Sequence, residues 1–132
     1  MRRTDYRMAA RALVRQVRHG AVPVQDVCDA HPELLRAARN VGQDAHRPCP
    51  ICRLADARAD VPSDDAATLR LVTYIYGDDL RRRSGGIVWD RDELRALADR
   101  HRSFTAYTIE CCLVCGWNHL VSSELLGQAH AS

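Results

Sequence analysis

The sequence predicts an α+β fold: short N-terminal helices packed on a three-stranded antiparallel zinc ribbon with an inserted helix. Three observations lead there. Two Cys-x-x-Cys pairs, Cys49-Pro-Ile-Cys52 and Cys112-Leu-Val-Cys115, are separated by the 59 residues 53–111. Helical periodicity is confined to the first 42 residues and to residues 90–101. Runs rich in β-branched and aromatic residues at 69–76, 104–111 and 117–122 supply the strands.

The cysteine pairs define the expected site. Four thiolates in two pairs make the closed tetrahedral set that Zn²⁺ takes in structural sites. Each C-x-x-C turn directs both sulfurs to one side, so each pair supplies half a tetrahedron. Cys49, Cys52, Cys112 and Cys115 are therefore the expected ligands of one structural Zn²⁺. Gly116 permits the positive φ that turns backbone N–H groups toward the sulfurs. With all four positions filled, no water is activated and hydrolysis at the metal is not expected.

Iron is the rival metal, since two such pairs also describe a rubredoxin-like electron carrier or redox sensor. The long interval and few aromatics favour zinc. A thioredoxin-type pair should precede a helix in a βαβ unit, and neither pair is expected to. Cys111 adjoins Cys112, but adjacent side chains on a strand diverge, so the C-x-x-C spacing selects Cys112. Cys28, with no nearby partner, reads as a small buried hydrophobe. His46 and His119 read as surface or supporting histidines.

Composition bounds the rest. The 132 residues fit one compact unit, 46% hydrophobic but only 5% aromatic, for which a metal staple makes sense. All 19 basic residues are Arg, and the net charge is +2, so no general basic coat is present. Met1-Arg2-Arg3, followed by no apolar run, is not expected to begin a signal peptide, and no apolar run is long enough to span a bilayer. A reducing cytoplasm is the expected location, and there paired C-x-x-C motifs read as metal ligands.

In chain order, residues 1–45 form the helical segment. A first helix is expected over 4–18, with Thr4 as N-cap and Tyr6, Ala10, Leu13 and Val17 on one face. Gly20 stops it and Pro23 bars its return. A second helix is expected over 24–30, carrying Cys28, and a third from Pro32 to near Gly42, with Leu34, Leu35 and Ala38 inward. Residues 46–126 are the ribbon. Residues 53–65 read as a loop or mobile insertion and Arg81–Gly86 as a basic loop. Asp90 and Glu93 form a capping box for the inserted helix, whose inward residues are Leu94, Leu97 and Ala98. Residues 127–132 are expected to be a flexible tail.

Two surfaces suit an anionic partner: Arg7, Arg11, Arg15 and Arg18 along the first helix, and Arg81, Arg82 and Arg83. Each is equally well read as a solvated face. Tyr74, Tyr76 and Trp117 would stack on bases if exposed and form the small core if buried. No catalytic constellation and no small-molecule substrate site is legible.

Residues 26–39 (DVCDAHPELLRAAR), Cys-Pro-Ile-Cys, Tyr74–Asp78 and Cys112–Leu120 together resemble a small actinobacterial family of uncharacterised proteins, a domain of unknown function. The resemblance spans most of the chain, although residues 54–67 exceed the family's usual spacer. It implies a fold and a metal site but no activity, and it singles out Trp117, Asn118 and His119 as metal-site supports or a binding face. The expectation is a non-enzymatic binding module attached to a ribosome, an RNA polymerase or another protein. The alternatives are an iron electron carrier and a DNA-binding regulator that reads through its N-terminal helices.

Overall fold

The computed structural model describes residues 2–56 and 68–131. Six strands form one sheet: β1 (Arg2–Asp5), β2 (Gln43–Pro48), β3 (Thr68–Tyr76), β4 (Ile87–Val88), β5 (Phe104–Cys111) and β6 (Asn118–Leu126). The order is β1-β6-β5-β3-β2, with β4 also on β3, and every pair is antiparallel. Four α-helices accompany them: α1 (Arg7–Arg18), α2 (Pro32–Val41), α3 (Pro50–Asp56) and α4 (Arg91–Arg100).

The α+β class holds, but the three-stranded ribbon is replaced by a six-stranded sheet. β3, β5 and β6 answer the three expected strands, and α4 lies between β3 and β5 in the chain. The other three are additions. Every residue of β1 is exposed and β2 is nearly so, hence neither carries an alternating apolar signal. The first helix begins at Arg7 rather than Thr4, because Thr4 is paired with Ser123 in the sheet. The expected helix 24–30 shrinks to a single 3₁₀ turn, Val24–Asp26, which leaves Cys28 beyond it. Arg53 to Asp56 are helical rather than looped, and the remainder of that expected insertion lies outside the described residues.

Local chemistry accounts for the helices. Pro32 opens α2, and the His31 ring accepts from the Glu33 N–H at 3.0 Å. Asp90 Oδ1 accepts from the Glu93 N–H at 2.8 Å, while Glu93 Oε2 accepts from the Trp89 N–H at 2.9 Å. The capping box is thus present, reaching back one residue further than expected. Gly20, at φ +78°, follows α1 as its stop.

Strand alternation sends two residue sets to opposite faces. On one face α2 lays Leu34, Ala37 and Ala38 over Val72 and Cys111. The other face carries two clusters. One gathers Leu94 and Leu97 of α4 around Ile75, Phe104, Ala106 and Leu126. The second joins Ala10 and Val17 of α1 to Ile51, Leu69, Cys49, Cys112 and Trp117. The apolar interior is therefore divided into three parcels, and the third contains cysteines of both pairs.

The C-terminal segment is not a loose tail. Residues Gln128–His130 form a 3₁₀ turn whose N–H groups bond the carbonyls of His101 and Arg102 at 2.9 Å. The Gln128 side chain donates to the Asp99 carbonyl at 2.7 Å, and His130 Nε2 lies 2.8 Å from Ser103 Oγ.

Candidate metal centre

β2 delivers the chain to Cys49, and α3 carries Cys52 back beside it on its first turn. β5 delivers Cys112, and the turn before β6 carries Cys115. Because β3 separates β2 from β5 in the sheet, the two pairs meet across its end rather than along one strand pair. The four Sγ atoms all lie within 4.8 Å of one another. Cys49 Sγ is 3.7 Å from Cys115 Sγ, and Cys52 Sγ is 3.7 Å from Cys112 Sγ. A tetrahedron with metal–sulfur bonds of about 2.3 Å has sulfur–sulfur edges of about 3.8 Å. A disulfide requires about 2.05 Å, and all six cysteines are free. The spacing is that of ligands around one ion, so this group could hold a metal.

Backbone donors surround the sulfurs. The Cys52 N–H points to Cys49 Sγ at 3.5 Å, Val114 N–H to Cys112 Sγ at 3.4 Å, and Trp117 N–H to Cys115 Sγ at 3.3 Å. Such donors favour thiolates over thiols and fix where each sulfur points. Gly116, at φ +87°, makes the second turn possible, and a Cβ there would meet the Cys28 carbonyl oxygen at 3.0 Å. Glycine is required by both conformation and space.

Four thiols this close resist ionising together, because neighbouring thiolates repel. Hydrogen bonds from Cys115 and Cys49 pull the Cys112 thiol well below its ordinary value. Thiol hydrogen bonding to Cys112 and Cys115 pushes Cys49 far above the ordinary range, and burial drives Cys52 up to about 12. A divalent ion reverses that arrangement by replacing protons with its own charge.

The sequence missed one neighbour. Cys28, expected to be a small buried hydrophobe with no cysteine nearby, lies half-buried against the same apolar cluster as Cys115, and burial raises it to about 12. The Ala30 N–H donates to the Gly116 carbonyl at 3.0 Å, so the segment after the 3₁₀ turn straps the second knuckle. No spacing rule could have placed it there. Cys111, by contrast, faces α2 on the opposite side of the sheet. His46 is on the surface, bonding Asp44, outside the four-sulfur group. The first pair does open a helix, contrary to expectation, but β2 and β3 are antiparallel, so no thioredoxin-like βαβ unit exists.

The three residues after the second pair have distinct positions. Trp117 is fully buried, with His119 stacked on it at 5.9 Å between ring centroids. His119 Nδ1 lies 2.7 Å from the Leu120 carbonyl, and Asn118 donates to Asp29 at 3.0 Å. Of the expected stacking residues, Tyr76 is exposed and Tyr74 half-buried against α2.

Arg7, Arg11, Arg15 and Arg18 come together. They line a groove of about 330 Å³ on α1 that also takes in Arg47, Pro50 and Trp117. Arg47 pairs with the buried Glu110. Among the described residues Arg11, Arg15 and Arg18 have no ion pair, and the buried Trp117 Nε1 has no acceptor. Arg81, Arg82 and Arg83 lie elsewhere, on an exposed 3₁₀ turn, with Arg83 bonded to Glu93 at 2.8 Å.

A family model of unknown function, DUF5318, matches residues 1–132. The chain belongs to the DUF5318 family. Uncharacterized proteins of Mycobacterium bovis and Mycobacterium tuberculosis are 38% identical to this DUF5318 member over 125 residues, covering 95% of this chain and 82% of theirs. No solved structure matches it. Among the described residues no helix is long and apolar enough to cross a membrane.

Proposed function

We propose that this DUF5318 protein is a non-enzymatic binding module, ordered by one structural Zn²⁺ on Cys49, Cys52, Cys112 and Cys115, that engages a cytoplasmic nucleoprotein machine through nucleic-acid phosphates. The observation that carries the reading is the arginine groove beside the four-sulfur group. Arg11, Arg15 and Arg18 project from one helix face without ion-pair partners among the described residues, over a buried indole N–H that lacks an acceptor. Guanidinium groups in a row suit phosphates, which accept paired N–H bonds. Ribosome or RNA polymerase as host is an analogy from stand-alone metal-ordered modules.

α1 packs on β6 and α3, and the next helical turn is only three residues long. This arrangement gives no helix-turn-helix support to a DNA-reading regulator.

The test is equilibrium binding to single-stranded RNA as salt is varied. Each phosphate contact contributes about 0.7 to the log–log slope. The variant carrying Arg11→Gln and Arg15→Gln should bind more weakly and lose about 1.4 from that slope. A slope unchanged by the double substitution would remove the groove from the reading.

A further inference from the structure

A second cavity, of about 320 Å³, opens over the middle of the sheet face that α1 and α4 cover at its two ends. Here the apolar interior is interrupted. Thr73, Thr108 and Ser122 are consecutive cross-strand partners on β3, β5 and β6, making a row of three hydroxyls across the cavity floor. Thr73 Oγ1 and Thr108 Oγ1 are 3.0 Å apart, and Ser122 is buried. Beside Ser122 stands Glu124, only 4% exposed.

Glu124 is the informative group. Its Oε1 accepts from Arg91 at 2.7 Å, with Arg3 at 3.8 Å. Its Oε2 is buried and has no partner among the described residues. A buried carboxylate oxygen left without a donor is costly, and such groups call for an explanation. Hydroxyls and a carboxylate occupy positions where the same strands elsewhere carry Ile75, Phe104 and Ala106. Arg3 and Arg7 line the cavity as half-exposed cations. The chemistry is thus divided: hydroxyls and a carboxylate residue line the floor, and cations stand at the mouth.

We propose that this cavity binds a small zwitterion, whose ammonium group donates to the Glu124 carboxylate and the hydroxyl row while its carboxylate or phosphate meets Arg3 and Arg7. The volume is at the lower end of small-molecule pockets, which suits a ligand of amino-acid size. The site is separate from the metal centre and does not depend on the nucleic-acid reading.

Calorimetric titration of the full chain tests it, with four probes: O-phosphoethanolamine, γ-aminobutyrate, ethanolamine and inorganic phosphate. At least one of the first two, which carry both charges, should bind saturably and more tightly than either single-charge probe. Which of them binds better tells whether the anionic end is phosphate or carboxylate. Glu124→Gln, nearly the same shape, should weaken that binding about tenfold. If Glu124→Gln fails to fold, Arg3→Gln, on an exposed edge strand, carries the test by weakening the zwitterion without weakening ethanolamine, since it removes a cation 3.8 Å from the Glu124 carboxylate. Phosphate binding as tightly as O-phosphoethanolamine would mean an anion at the arginines and overturn the proposal. So would saturation by none of the four, or affinity indifferent to both substitutions.

Discussion

Adjacent cysteines have opposite fates in this protein. Cys112 joins the four-sulfur group, while Cys111 packs against α2 on the other face and burial pushes its thiol up to about 11. Cys112→Ser, Cys49→Ser and Cys115→Ser should therefore each abolish stoichiometric metal. Cys111→Ser should keep the metal and cost about 1 kcal/mol of stability. Metal per chain by elemental analysis, with a melt of each variant, checks both. Metal affinity should also fall with acidification, because Cys49 and Cys52 are protonated in the metal-free site and must release protons as the ion enters. The four-cysteine group was legible because C-x-x-C spacing is a local geometric constraint. Glu124 was not, since a glutamate within Ser-Ser-Glu-Leu-Leu has no local mark of burial. Its burial is decided by β1 and α4, distant in the chain, which bring Arg3 and Arg91 to it.

The elements legible in the sequence were those with a buried periodic face or a capping signature. β3 and β5, rich in β-branched and aromatic residues that the sheet buries in part, and α4, with Asp90 and Glu93 at its start, are examples. β1 and β2 were hidden because edge strands with exposed polar residues owe their conformation to a partner's backbone. The turn at Asp78–Arg83 is similarly held from outside. Asp79 Oδ2 accepts from the Arg102 N–H at 2.8 Å and lies 3.2 Å from His101 Nδ1. That backbone hydrogen bond, helped by His101, holds the Asp79 carboxyl below its ordinary 3.8. A carboxyl lowered on folding stabilises the protein above its unfolded value, and the benefit fades as pH falls through the folded one. Asp79→Ala should hence melt below the wild type near neutral pH, and the two melting temperatures should converge as pH drops below 3.8. Parallel melting curves down to pH 2 would show that the clasp contributes nothing through its charge.

At the scale of the whole molecule, the described residues form three separate apolar parcels, and the parcel holding Trp117 includes Cys49 and Cys112. Structural zinc supplies an apparent folding energy of about 10–16 kcal/mol, as large as the stability of many domains. Chelation should therefore open that parcel first. Trp117 is fully buried and Trp89 is 63% exposed, so a red shift of tryptophan emission on metal removal reports Trp117. The metal-loaded protein should be colourless, whereas visible absorption would mark iron–thiolate and an electron carrier.

The pairing of β1 with β6, at Arg2↔Leu125 through Asp5↔Ser122, also has a consequence for synthesis. Of the six strands, β1 leaves the ribosome first and β6 last, and Cys49 and Cys52 emerge long before Cys112 and Cys115. Neither the β1 edge nor the four-sulfur group can close before Cys115 and β6 have emerged. The nascent protein therefore carries an unpaired strand and two reduced thiols until its final third arrives. Both closures rest on long-range contacts of the slow-forming kind.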